Sequence, residues 1–69
     1  MAALENAIAN NNQVKVTASL LNVRTGPGTN NKVVGTLRKN TICNILEIQN
    51  GWGKINNPSG WICLDYTSK

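Results

Sequence analysis

From Gln13 onward, apolar and polar positions alternate in short runs separated by turn residues, the pattern of strands rather than helices. In "QVKVTA", Val14 and Val16 share one face; in "LLNVRT", Leu21 and Val23 share one face and Asn22 and Arg24 the other. The runs "KVVGTL", "TICNILEI", "GWGKIN" and "GWICLD" continue the series, punctuated by "GPGTN", "RKN", "QNG" and "NPSG". Asn50-Gly51 and Pro58-Ser59-Gly60 are the strongest hairpin signals. Short strands at this spacing predict an all-β barrel of antiparallel strands, and 69 residues allow one domain.

Gly26-Pro27-Gly28-Thr29 reads as a type II turn, because proline presets φ at the second position and glycine tolerates positive φ at the third. A phosphate loop would need a helix start and Lys-Ser or Lys-Thr after the glycines. "TNNKVVGTL" supplies neither. The first twelve residues differ from the rest: Leu4, Ala7 and Ile8 have helical spacing, and Asn10-Asn11-Asn12 end it. So short a helix is marginal alone, so residues 1–12 are expected to be a helical or disordered tail or linker, with the domain over 13–69.

Charge and inventory then narrow the chemistry. Seven Lys and Arg against three Asp and Glu give a net charge of +4, spread along the chain. That balance suits acidic partners such as DNA, teichoic-type polymers or anionic lipid heads without singling one out. Histidine is absent, so Cys43 and Cys63 make no zinc set, and neither thiol has an imidazole to activate it. Both cysteines lie in apolar runs and read as unbridged thiols. Glu5 falls in the tail, which leaves Glu47 and Asp65 as the carboxylates for acid–base work, and no enzymatic activity is expected. No cofactor or metal is expected either. No apolar run has membrane-spanning length and no charged-then-apolar leader opens the chain, so delivery outside a cell would fall to something else.

Binding is better supplied. Trp52, Trp61 and Tyr66 are the only aromatic residues, each beside a turn or a strand end. They either close the small core or present a stacking platform beside Arg24. Arg24 itself reads as a clamp over Trp61 or the turn carbonyls, as a ligand contact, or as both. Asn22 reads first as a cap on turn backbone and second as a binding group. With Thr25, the candidate ligand-binding set is Asn22, Arg24, Thr25, Trp52, Trp61 and Tyr66.

At these residues the chain resembles a family. "LNVRTGPGTNNKVVGTLRKN", then "ILEIQNGWGKI" and "GWICLDY", is similar to the bacterial SH3 (SH3b, SH3-type-3) domains, with agreement in order and spacing from about Val14 to Tyr66. The resemblance implies a small SH3-like barrel with Leu21, Val23, Val34, Leu37, Ile45, Ile55 and Ile62 in its core. It implies that Cys43 replaces an aliphatic core residue as a buried free thiol, and that Thr67, where Leu or Val commonly follows the tyrosine, loosens the C-terminal edge.

It also implies an accessory module that binds peptidoglycan or an attached wall polymer and targets a catalytic hydrolase, endolysin or autolysin, to the Gram-positive wall. The location would be extracellular, with delivery by a larger protein or by phage lysis. The alternative is a protein-interaction domain that orients a partner enzyme without gripping the wall. Nucleic acid is disfavoured because the basic residues are scattered, and proline peptides because their groove is aromatic-rich. A membrane partner is not expected.

Removing residues 1–12 is expected to leave the melting temperature nearly unchanged. A loss of several degrees in a thermal scan would place part of that segment on the barrel.

Overall fold

A computed structural model describes residues 13–56 and 58–68, and the expected helical or disordered tail lies outside them. The chain runs through β1 (Gln13–Val16), β2 (Leu20–Arg24), β3 (Val33–Arg38), β4 (Ile42–Asn44), β5 (Glu47–Gln49), β6 (Trp52–Ile55) and β7 (Gly60–Cys63). One 3-10 turn (Leu64–Tyr66) then leads into β8 (Thr67–Ser68). All pairings are antiparallel, in a three-stranded sheet β4-β1-β8 and a five-stranded sheet β3-β2-β7-β6-β5.

Alternation along the strands sends one set of side chains inward. Val14, Val16, Leu21, Val23, Leu37, Cys43, Ile45, Ile55 and Ile62 form one buried cluster, with Leu64 packed against it. Val16, Val23 and Ile62 are wholly buried, so truncating any of them to Ala would cost about 2–5 kcal/mol. "TICNILEI" does not form one strand. It changes sheets at Ile45, buried between β4 and β5, where the Leu46 amide donates to the Lys54 carbonyl at 2.8 Å.

The turns follow their residues with one exception. Asn50 (φ 52°) and Gly51 (φ 82°) both take positive φ in the two-residue loop between Gln49 and Trp52, as a primed hairpin turn requires. The expected type II turn at Gly26–Thr29 is absent: the hydrogen-bonded turn lies at Gly28–Asn31, where the Asn31 amide reaches the Gly28 carbonyl at 3.3 Å. Gly28 has φ 142°, far from the value near 80° of that turn type. Asn31 is the reason, since its side chain donates to the same carbonyl at 3.3 Å and holds the corner one step further along.

Two expectations drawn from the resemblance are corrected. Val34 is 51% exposed rather than in the core. Val23 pairs with Gly35 but Arg24 with Val33, so Val34 is the extra residue of a bulge and turns outward. Thr67 does not loosen the C-terminal edge. It pairs with Val16, and its hydroxyl donates to the Leu64 carbonyl at 2.8 Å, a bond that Leu or Val could not make.

β7 meets β2 through one register pair, Arg24 opposite Trp61. Gly60 makes that approach possible: a Cβ there would stand 2.5 Å from Val23 Cγ1 and 2.8 Å from the Arg24 carbonyl oxygen, and φ is 155°. Gly60→Ala is therefore expected to cost about 3 kcal/mol in denaturant unfolding. A cost below about 0.5 kcal/mol would show that β2 and β7 do not depend on this contact.

Candidate functional site

Past Arg24 and Trp61 the β2–β7 ladder stops, and a groove of about 350 Å³ opens along the seam. Asn22 and Arg24 line it from β2, Trp52 and Cys63 from the facing hairpin, and Tyr66 from the 3-10 turn. Ala18, Leu20 and Leu21 add an apolar stretch, and Thr29 closes the loop end. Trp52 and Cys63 are a cross-strand pair, so both project from the same face of the sheet. Tyr66 is held from behind, where its carbonyl accepts the Thr17 amide at 2.8 Å, leaving the side chain 54% exposed.

Arg24 is the fixed point. Its Nη1 donates to the Thr29 carbonyl at 3.1 Å and to the Asn31 carbonyl at 2.9 Å, while the Thr25 amide donates to Lys32 across the loop base at 2.9 Å. The clamp over turn carbonyls is thus observed, and Arg24 also lines the groove. Among the described residues it is the one charged side chain in the lining, and none of them brings a carboxylate there.

The structure brings together Asn22, Arg24, Trp52 and Tyr66 of the expected set, and not the other two. Thr25 is exposed on the loop, outside the lining. Trp61 is 9% exposed but absent from both the core cluster and the groove. Ile62 points inward, so Trp61 projects from the outer face, where the register sets Arg24 on one flank and Lys54 on the other. Its ring is covered and gives no stacking platform. Asn22 is exposed, and among the described residues the side chain that caps the turn is that of Asn31.

Sequence reading missed Ala18, Leu20, Leu21, Thr29 and Cys63. Leu20 had a signal, since it shares the face of Asn22 and Arg24 by period-two alternation, and it is 63% exposed. Thr29 enters through a carbonyl, which carries no side-chain signature.

A second hollow, of about 420 Å³, lies beside Ile42, Cys43, Leu46, Ile55 and Pro58 and has no charged residue in its lining among the described residues. Cys43 and Cys63 are both free thiols. Burial pushes the Cys43 thiol above its ordinary pKa, because the core disfavours the thiolate. Among the described residues no three of His, Cys, Asp and Glu gather as metal ligands, and no helix is long and apolar enough to cross a membrane.

Residues 18–68 match the family model described as the bacterial SH3 domain. No curated protein matches the chain.

The two thiols are expected to separate by reactivity. The thiolate is the attacking form, so alkylation of the folded protein at neutral pH should label Cys63 and spare Cys43, and denaturant should expose two thiols per chain. Equal labelling rates in the folded state would show that Cys43 is not held in the core.

Proposed function

The chain belongs to the bacterial SH3 domain family, whose members are commonly non-catalytic binding modules, and from that premise we propose that it binds the Gram-positive cell wall. Its ligand is peptidoglycan or a polymer attached to it, and its task is to hold a peptidoglycan hydrolase, of endolysin or autolysin type, at that substrate outside the cell. The observation that carries this reading is the seam groove, where Arg24, Asn22, Trp52 and Tyr66 converge. An exposed tyrosine and a half-buried tryptophan beside a fixed cation and an amide suit a ligand of sugar and peptide, which offers flat apolar faces and hydrogen-bonding groups together.

Several features support binding over catalysis. The chain has no histidine, and the described residues bring no carboxylate into the groove to give or take a proton. Cys63 has no base beside it in the lining. A module of this size binds weakly alone, and tethering to an enzyme raises the local concentration of substrate without further contacts.

A second reading, an interaction domain that orients a partner enzyme, draws on the other hollow, where Ile42 (54% exposed) and Leu46 (60%) border an uncharged surface.

Co-sedimentation with intact Gram-positive walls tests the first reading. The protein is expected to pellet with the walls without hydrolysing them, and Tyr66→Ala, at an exposed position, to weaken binding by about 1–3 kcal/mol with an unchanged melting temperature. With one cation in the groove, raising the salt should weaken binding only slightly, unlike the steep loss of a phosphate-tracking protein. A folded protein that ignores walls and docks on a hydrolase would establish the second reading.

A further inference from the structure

We propose that the anchoring group of the ligand is a single free carboxylate, held side-on by Arg24; this inference rests on the seam groove being the binding site. A guanidinium carries five N–H donors in one plane. Both hydrogens of Nη1 are engaged, one on the Thr29 carbonyl at 3.1 Å and one on the Asn31 carbonyl at 2.9 Å. The parallel N–H pair formed by Nε and Nη2 has no partner among the described residues. That pair is the side-on fork, whose spacing matches the two oxygens of a carboxylate.

The surroundings decide between anions. Phosphate fits the same fork, but a phosphodiester polymer carries charge at every repeat and is gripped by a row of cations along its path. Among the described residues Arg24 is the one cation in this lining. The groove is therefore built for one isolated anionic group. Along β2 from the fork come Asn22 and then the exposed Leu20, and Ala18, Trp52 and Tyr66 line the same groove, which accepts small apolar side chains. The ligand these features fit is a short peptide with small side chains that ends in, or carries, a free carboxylate. Asn22, with donor and acceptor both on its amide, is placed to read the peptide backbone next to it.

The clamp also explains why the site is ready before the ligand arrives. With Nη1 fixed on two carbonyls, the arginine gives up little rotamer freedom on binding.

Two measurements on the intact chain test this. In the first, N-acetyl-alanyl-alanine with a free carboxylate and its C-terminal amide are each titrated, reading the Arg24 Nε–H and Trp52 indole N–H resonances by NMR. The acid should move the Arg24 signal and bind about tenfold more tightly than the amide. Arg24→Lys keeps the charge but loses the fork, and should bring the affinity for the acid down to that for the amide; Tyr66→Ala should weaken both peptides and preserve their ratio. In the second, walls are compared before and after their carboxyl groups are converted to amides with carbodiimide and ammonia, and after the phosphate polymers are stripped. Amidation should release the protein and stripping should not.

Equal or absent shifts with acid and amide would overturn the carboxylate, and so would wall binding that survives amidation but fails on stripping. Failure to bind intact walls alongside a selective response to the acid would instead remove the wall reading and leave the carboxylate site standing.

Discussion

One cross-strand contact, Arg24 opposite Trp61, joins two hairpin units into the five-stranded sheet. On one side lies the β2–β3 pair, on the other the β5–β6–β7 meander, and β2 and β7 share only this register pair. Its closeness depends on Gly60, where any side chain would meet Val23 and the Arg24 carbonyl. The inner face of the junction is Val23 and Ile62, both with no exposure, so the contact that closes the sheet also seals the centre of the core. A small domain has few such buried side chains to spend, and the tolerance for loosening this one point is correspondingly low.

The outer face of the same junction makes the site. Because the ladder stops after one pair, Asn22 on β2 and Cys63 on β7 are left without a register partner across the seam, and the groove fills that gap. Arg24 stands at its closed end. Its side chain lies beside Trp61, and its Nη1 draws the Thr29–Asn31 backbone onto the sheet. Trp61 is thus spent on burial, and half-buried Trp52 and exposed Tyr66 line the groove. The division of labour among the three aromatics follows from where the strands part.

How much of this was legible in the sequence depended on range. Alternation in "QVKVTA" and "LLNVRT" identified Val14, Val16, Leu21 and Val23 as inward residues, and Asn50-Gly51 announced its hairpin, because strand faces and turn conformations are set by neighbouring residues. The family pattern at Leu21–Gly28, Ile45–Ile55 and Gly60–Tyr66 carried the fold, and it includes Asn22, Arg24, Trp52 and Tyr66, which line the groove. Val34 failed because a bulge is a property of two strands, visible only when Val23 and Gly35 are seen to pair. The turn at Gly26–Thr29 failed because the Asn31 side chain and the Arg24 guanidinium, both outside those four residues, reset the hydrogen bonding. Trp61 and Thr25 lie outside the groove lining for a similar reason: burial at one and position at the other depend on which strand lies opposite.

Both walls of the groove are tied down by hydrogen bonds to backbone carbonyls that no ligand needs to break. The Thr17 amide holds the Tyr66 carbonyl, the Thr67 hydroxyl holds that of Leu64, and Arg24 holds those of Thr29 and Asn31. Each bond links the site to a residue of the scaffold, so the positions of Tyr66 and of the guanidinium are consequences of the fold rather than of ligand contact. Affinity in such a site comes from little reorganisation and not from large buried area. The turn that carries Tyr66 is held at the Leu64 carbonyl by two donors of Thr67, its hydroxyl and its backbone amide, and at the Tyr66 carbonyl by Thr17. On the carboxylate reading proposed above, the anionic end of the ligand lies at the Nε–Nη2 edge of Arg24 and its neutral part runs past Asn22 toward Tyr66.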